Sequence, residues 1–175
     1  MNTVSDTQLA PDAPLPLDAR LKLEFRPEEL QSEPLRRLYA DWFTLWTGDR
    51  IPEYSTFDIC DFRYIVGSLN MMEVERDPWR FRYRVHASRA ALNVGKDMTG
   101  LYAEDYPSEA YRKDIQQFLV HAAQRDVPTI DITKNVPIFR RLMRFESVAV
   151  PFGDASGCVT HLAVGISSSH PDQPA

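Results

Sequence analysis

At 175 residues the chain is long enough to bury one real core and too short for two large ones. Its 43% hydrophobic and 26% charged content is that of an ordinary globular domain. A formal charge of −5 argues against nucleic acid or an anionic membrane as the main partner, and no apolar run approaches the roughly 20 residues that span a bilayer.

Residues 1–19 hold Pro11, Pro14 and Pro16 among Asp and Ala, a composition too poor in apolar surface to order itself. We read residues 1–30 as a flexible N-terminal arm, 31–168 as the domain, and 169–175 as a disordered tail whose looseness begins at Ser167. The first residues show neither a basic nor an apolar signal region, and the two cysteines, Cys60 and Cys158, have no metal-ligand neighbourhood. A cytoplasmic protein with reduced thiols is the expectation.

Leu35, Leu38, Tyr39, Trp42, Leu45 and Trp46 recur at helical spacing between Glu33 and Thr47. Ser32 is positioned to cap that helix, with Pro34 in its first turn and Gly48 past its end. The stripe either packs on the chain's own core or forms a homodimer seam through Leu35, Leu38, Trp42 and Trp46. A second, short helix is expected over Thr56–Val66.

From Ser68 the period becomes two, with Met72, Val74, Phe81, Tyr83 and Val85 alternating with Glu73, Glu75, Arg82, Arg84 and His86. A hairpin closed over Asp77-Pro78-Trp79-Arg80 pairs Arg76 with Phe81. Glu75 then faces Arg82, Glu73 faces Arg84, Val74 faces Tyr83, and Met72 faces Val85. These acidic partners make the arginines a solvated face, not a nucleic-acid patch.

Gly95-Lys96-Asp97-Met98-Thr99-Gly100 follows, two glycines suggesting a backbone that needs positive φ or a close approach. Ser108 is then placed to cap a long helix with the stripe Tyr111, Ile115, Phe118, Leu119 and Ala122. Three strands are expected after it, at about 128–136, 141–151 and 159–167. The last two are joined by the turn Gly153-Asp154-Ala155-Ser156-Gly157.

Four segments carry a resemblance. They are Leu35–Trp42; Arg50-Ile51-Pro52 with Phe57-Asp58-Ile59; Phe81–Val85 leading into Gly95–Gly100; and Phe145–Pro151 with Gly157 and Gly165. In order and spacing, over about residues 33–168, the chain resembles the small, mostly stand-alone bacterial PAS-like family of uncharacterised function. It departs from that pattern at Ile59-Cys60, where the family usually has proline, and at Ala87, where it often has glycine. The resemblance implies an α+β fold. A five-stranded antiparallel sheet, order 2-1-5-4-3, would carry a long helix between strands 2 and 3, preceded by N-terminal helices.

It also implies a non-enzymatic sensory or interaction module acting through a separate signalling protein. A small-molecule pocket between sheet and long helix would be lined by Val74, Tyr83, Val85, Leu92, Ile115 and Phe118, unless those side chains simply fill the core. Whether a cofactor is bound, and which, is left open. His121 lies roughly 100° around the helix from the apolar stripe, so haem ligation is not expected. No cysteine sits where a flavin photosensor needs one. The competing class is a small-ligand enzyme of a cone-shaped α+β barrel fold, an isomerase or dehydratase, which needs a buried Asp or His with a polar partner. Asp131 is expected to face solvent with Thr129, Thr133 and Asn135, His86 is expected outward, and the direction of His161 is open. Arg144 and Glu146 share one strand face, either as a partly buried ion pair or, the preferred reading, as solvated charges at a strand end.

Overall fold

The computed structural model describes residues 25–48, 50–107, 109–138 and 141–169. Its strands are β1 (Leu69–Glu75), β2 (Arg80–Val85), β3 (Thr129–Ile138), β4 (Arg141–Gly153) and β5 (Val159–Ser169). All pairings are antiparallel, and the sheet order is β2-β1-β5-β4-β3. The helices are α1 (Glu33–Thr44), α2 (Ser88–Val94) and α3 (Glu109–Ala123), the last falling between β2 and β3 in sequence. No helix among the described residues is long and apolar enough to cross a membrane.

Val148, Ala149 and Val150 of β4 are buried in succession, as are Leu162, Ala163 and Val164 of β5. Successive side chains on a strand point to opposite faces, so both faces of the sheet centre are covered. The covering helices are α1, against β4 and β5, and α3, against β3, β4 and β5.

Most of the N-terminal stripe packs on the chain's own sheet. Leu35, Leu38 and Trp42 are 0% exposed in the single chain, and the Trp42 indole donates to the Pro151 carbonyl at 2.7 Å. Gly165 makes the close approach possible: a Cβ there would stand 2.7 Å from a methyl of each leucine. These residues are core and have no surface to give a dimer seam. Trp46 is half-buried, packed edge-on to Trp42 and stacked on the exposed Phe43.

Ser32 sits at the N-cap, but its hydroxyl makes no capping bond. Glu146 of β4 instead fixes the backbone that enters the helix. Its carboxylate accepts the Gln31 N–H at 2.9 and 3.0 Å and the Ser32 N–H at 2.9 Å, and Arg144 holds it at 2.7 Å. Arg144 in turn donates to the Glu29 carbonyl at 2.9 Å. Both side chains are buried, which corrects the expectation of solvated charges. Part of the expected arm is thereby built into the fold: Leu30 is 1% exposed, and Pro27–Glu29 forms a 3-10 turn. Residues 1–24 lie outside the described residues, as does the expected Ser108 cap.

The expected helix over 56–66 is instead three 3-10 turns, Tyr54–Thr56, Ile59–Phe62 and Val66–Ser68. Phe57 is extended, and the Asp58 carboxylate accepts the Cys60 N–H at 2.8 Å, a local bond that competes with continuing a helix. The expected loose tail is also corrected at its start, because β5 continues through Ser167 to Ser169.

The β1–β2 register differs from the expected one by two residues. Glu75 pairs with Arg80, Val74 with Phe81, Glu73 with Arg82 and Met72 with Tyr83, with an irregularity before Met71 and Val85. A slide of two preserves which face each side chain occupies, so charge alternation could not tell the registers apart. Arg84 still reaches Glu73 diagonally, at 3.7 Å.

Gly95 and Gly100 both take positive φ, 73° and 84°. The chain between them returns to β2, where Gly100 N–H donates to the Tyr83 carbonyl at 2.7 Å and Tyr83 N–H to Leu101 at 2.8 Å. That contact shields an otherwise open sheet edge.

Candidate functional site

Of the six residues expected to line a pocket, Val74, Tyr83 and Phe118 are buried and Ile115 is half-buried. All four belong to one apolar layer. Leu92 is 81% exposed and Val85 52% exposed, so neither lines an interior space. The alternation of β2 ends after Tyr83, where the pairing becomes irregular and the chain turns into α2. Periodicity carried one residue too far therefore assigned Val85 inward.

Polar groups converge where α3 meets this layer. Tyr106 and Tyr111 pack with ring centroids 4.7 Å apart, and Tyr83, Tyr106 and Tyr111 are electrostatically coupled. Burial raises all three phenols, with Tyr111 pushed up to about 12, helped by Asp131 and Asp114. Asp131 is half-buried and Thr129 is 3% exposed, so the polar side of β3 begins under α3, not in solvent. Burial raises the Asp131 carboxyl, and Asp114 adds to this; hydrogen bonds from Thr133 and the backbone oppose it.

Two histidines are also placed. His86 is 8% exposed, not outward. Its Nδ1 accepts the Met98 N–H at 3.1 Å, its backbone N–H donates to Thr99 Oγ1 at 3.1 Å, and Asp97 stands 3.8 Å away. Burial lowers its pKa against the opposing pull of Asp97. His161 stacks on Tyr54, ring centroids 3.5 Å apart, and burial lowers it too. His121 is half-buried and contacts Arg125 at 3.2 Å. Cys60 and Cys158 are exposed free thiols.

The open space lies on another side of α3. A cleft of about 690 Å³ separates the β1–β2 turn from α3, lined by Trp79, Arg80, Glu104, Arg112, Lys113 and Gln116 among others. It is a shallow groove largely open to solvent, not an enclosed cavity. The Gln116 amide donates to the Trp79 carbonyl at 3.0 Å and ties helix to turn. Arg80 pairs with Glu104 at 2.5 Å and lies 3.7 Å over the Tyr102 ring. Trp79 stacks near-parallel on the core residue Phe81, at 6.4 Å, so the cleft wall is continuous with the interior layer.

The reading of the sequence missed Tyr106, Trp79, Arg112 and Gln116, and it put Asp131 on the wrong side. On a helix, Arg112, Lys113 and Gln116 look like any solvated face. Only the hairpin turn laid against them makes a cleft. Comparison with known protein families, with curated proteins and with solved structures returned no match for this chain.

Proposed function

We propose that the chain is a PAS-like, non-enzymatic sensory or interaction module. It takes up a small molecule at the cleft between α3 and the β1–β2 turn and passes the event to a separate protein. The observation that carries this is the antiparallel order β2-β1-β5-β4-β3, with α3 inserted between β2 and β3 and laid on the sheet beside that cleft. The four sequence motifs of the bacterial PAS-like family support it. The arrangement also favours binding over turnover. The strongest acid–base candidates, Asp131 and Tyr111, belong to the layer where α3 packs on the sheet and are not among the cleft's lining residues. Within the cleft, Glu104 is engaged by Arg80.

Native mass spectrometry tests the reading on protein purified from its own cells and then exposed to a metabolite extract of those cells. The expected result is a non-covalent adduct of small-molecule mass that Trp79→Ala weakens and that is not consumed with time. Steady consumption of an extract component would point to the enzyme class. A bare chain under both conditions would contradict uptake of a small molecule.

A further inference from the structure

The charges around the cleft do not cancel. Arg80 is neutralised by Glu104 at 2.5 Å, and Lys113 stands 3.7 Å from Glu109, both on the exposed face of α3. Arg112, half-buried beside them, reaches only a backbone oxygen, the Glu104 carbonyl at 3.4 Å. Among the described residues no carboxylate lies within ion-pair distance of it. One guanidinium is thus left at a cleft wall with most of its five donors uncommitted, in the fork geometry that matches a carboxylate.

The rest of the wall limits what can accompany that carboxylate. Trp79 is half-buried next to Pro78, stacked on Phe81, with the Arg76 guanidinium 5.0 Å from its ring centroid, so the ring surface left to the cleft is apolar but lies beside a second cation. One helical turn from Arg112, the Gln116 amide is locked onto Trp79 through its nitrogen, while its Oε1 is buried without a hydrogen-bond partner. A buried acceptor without a partner disfavours a second negative charge beside it, which limits the ligand to one anionic group.

We propose that this cleft binds a small organic carboxylate with an apolar body, a monoanion held by Arg112 and lying against Trp79. The assignment rests on the reading that the cleft is the uptake site, and it adds the chemical class of the ligand. A charge-assisted fork is about twice as strong per bond as a neutral hydrogen bond, so charge should dominate selectivity.

Sodium benzoate is the probe, and benzamide is its neutral, planar counterpart. Both are titrated into the ¹⁵N-labelled full chain while amide shifts are followed. The expected result is saturable benzoate shifts at Pro78–Arg80 neighbours and at 109–117, with benzamide at least tenfold weaker. Arg112→Gln should weaken benzoate by tenfold or more, Arg112→Lys should recover part of that, and Lys113→Gln should change it less than threefold. The thermal midpoint of each variant checks that the fold is retained. Equal binding of benzoate and benzamide, an unchanged affinity in Arg112→Gln, or no saturable benzoate shift would overturn the proposal. If the metabolite extract shifts the cleft amides while benzoate does not, the carboxylate assignment falls and the uptake site stands. If neither does, both fall.

Discussion

Glu146 shows how a single side chain joins distant parts of this chain. Its carboxylate sits at the positive end of α1, takes two backbone N–H groups 114 and 115 residues away, and is neutralised by Arg144. Removing the charge leaves a buried guanidinium without its partner, a loss of about 3–5 kcal/mol for a buried pair. Glu146→Gln should lower the urea midpoint accordingly, with an unchanged m-value if the denatured state is unaffected. Asp131 predicts the opposite sign. Its carboxyl is raised in the folded chain, so the folded state holds a proton that the unfolded state has released. Stability from this group is then greatest below the unfolded value near 4 and is lost as pH rises through the raised folded pKa. Asp131→Asn should therefore raise the urea midpoint at pH 7 and flatten the pH dependence on the acid side. Neither residue was legible in the sequence. Arg144 and Glu146 alternate in a strand like two solvated charges, and their burial depends on the Glu29–Ser32 backbone arriving from far along the chain. Asp131 reads as outward until α3 is laid over it.

Elements were easier to see than the details joining them. The 3.6-residue stripes gave α1 and α3, and the period of two gave all five strands within about two residues of their ends. The hairpin register was not legible, because a slide of two residues leaves every side chain on its original face. The loop actually spans Arg76 to Trp79, with Asp77 at a φ of 58°, a conformation that aspartate tolerates better than most residues. The segment Gly95–Gly100 was legible as a place needing positive φ, but its anchor was not. That anchor is His86, whose Nδ1 accepts from Met98 and so must be unprotonated. Its folded pKa is lowered, so stability is complete above the unfolded value of about 6.5. It is lost as pH falls from there through the folded pKa, because the unfolded chain takes up the proton first. His161 adds loss in the same direction. His86→Asn, which keeps an acceptor at the Nδ1 position, should retain most of the stability at pH 7 and lose part of the decline below about pH 6.5. His86→Ala should cost about 1–3 kcal/mol by leaving the Met98 N–H buried and unpaired. Thermal unfolding across pH separates the two.

At the scale of the whole molecule, the sheet is covered by α1 against β4 and β5 and by α3 against β3, β4 and β5. Trp42→Ala should therefore act on folding, costing about 3–5 kcal/mol as a large core truncation does, and sedimentation should show no change in assembly attributable to the stripe. The succession of helices and strands along the chain was legible from their periods, whereas the strand order in the sheet was expected only through the PAS-like resemblance that this succession suggested. The cleft was not, since it exists only where the β1–β2 turn meets the polar face of α3. Trp79 links the two regions, lining the cleft while its ring stacks on Phe81 of the core and carries the Arg76 guanidinium 5.0 Å away. Amide-shift mapping of the labelled chain in a metabolite extract of its own cells tests the central claim most directly. The account predicts shifts concentrated at residues 79, 80, 104 and 109–117, spreading to Phe81 and Tyr83. Shifts confined to other surfaces, or none at all, would contradict it.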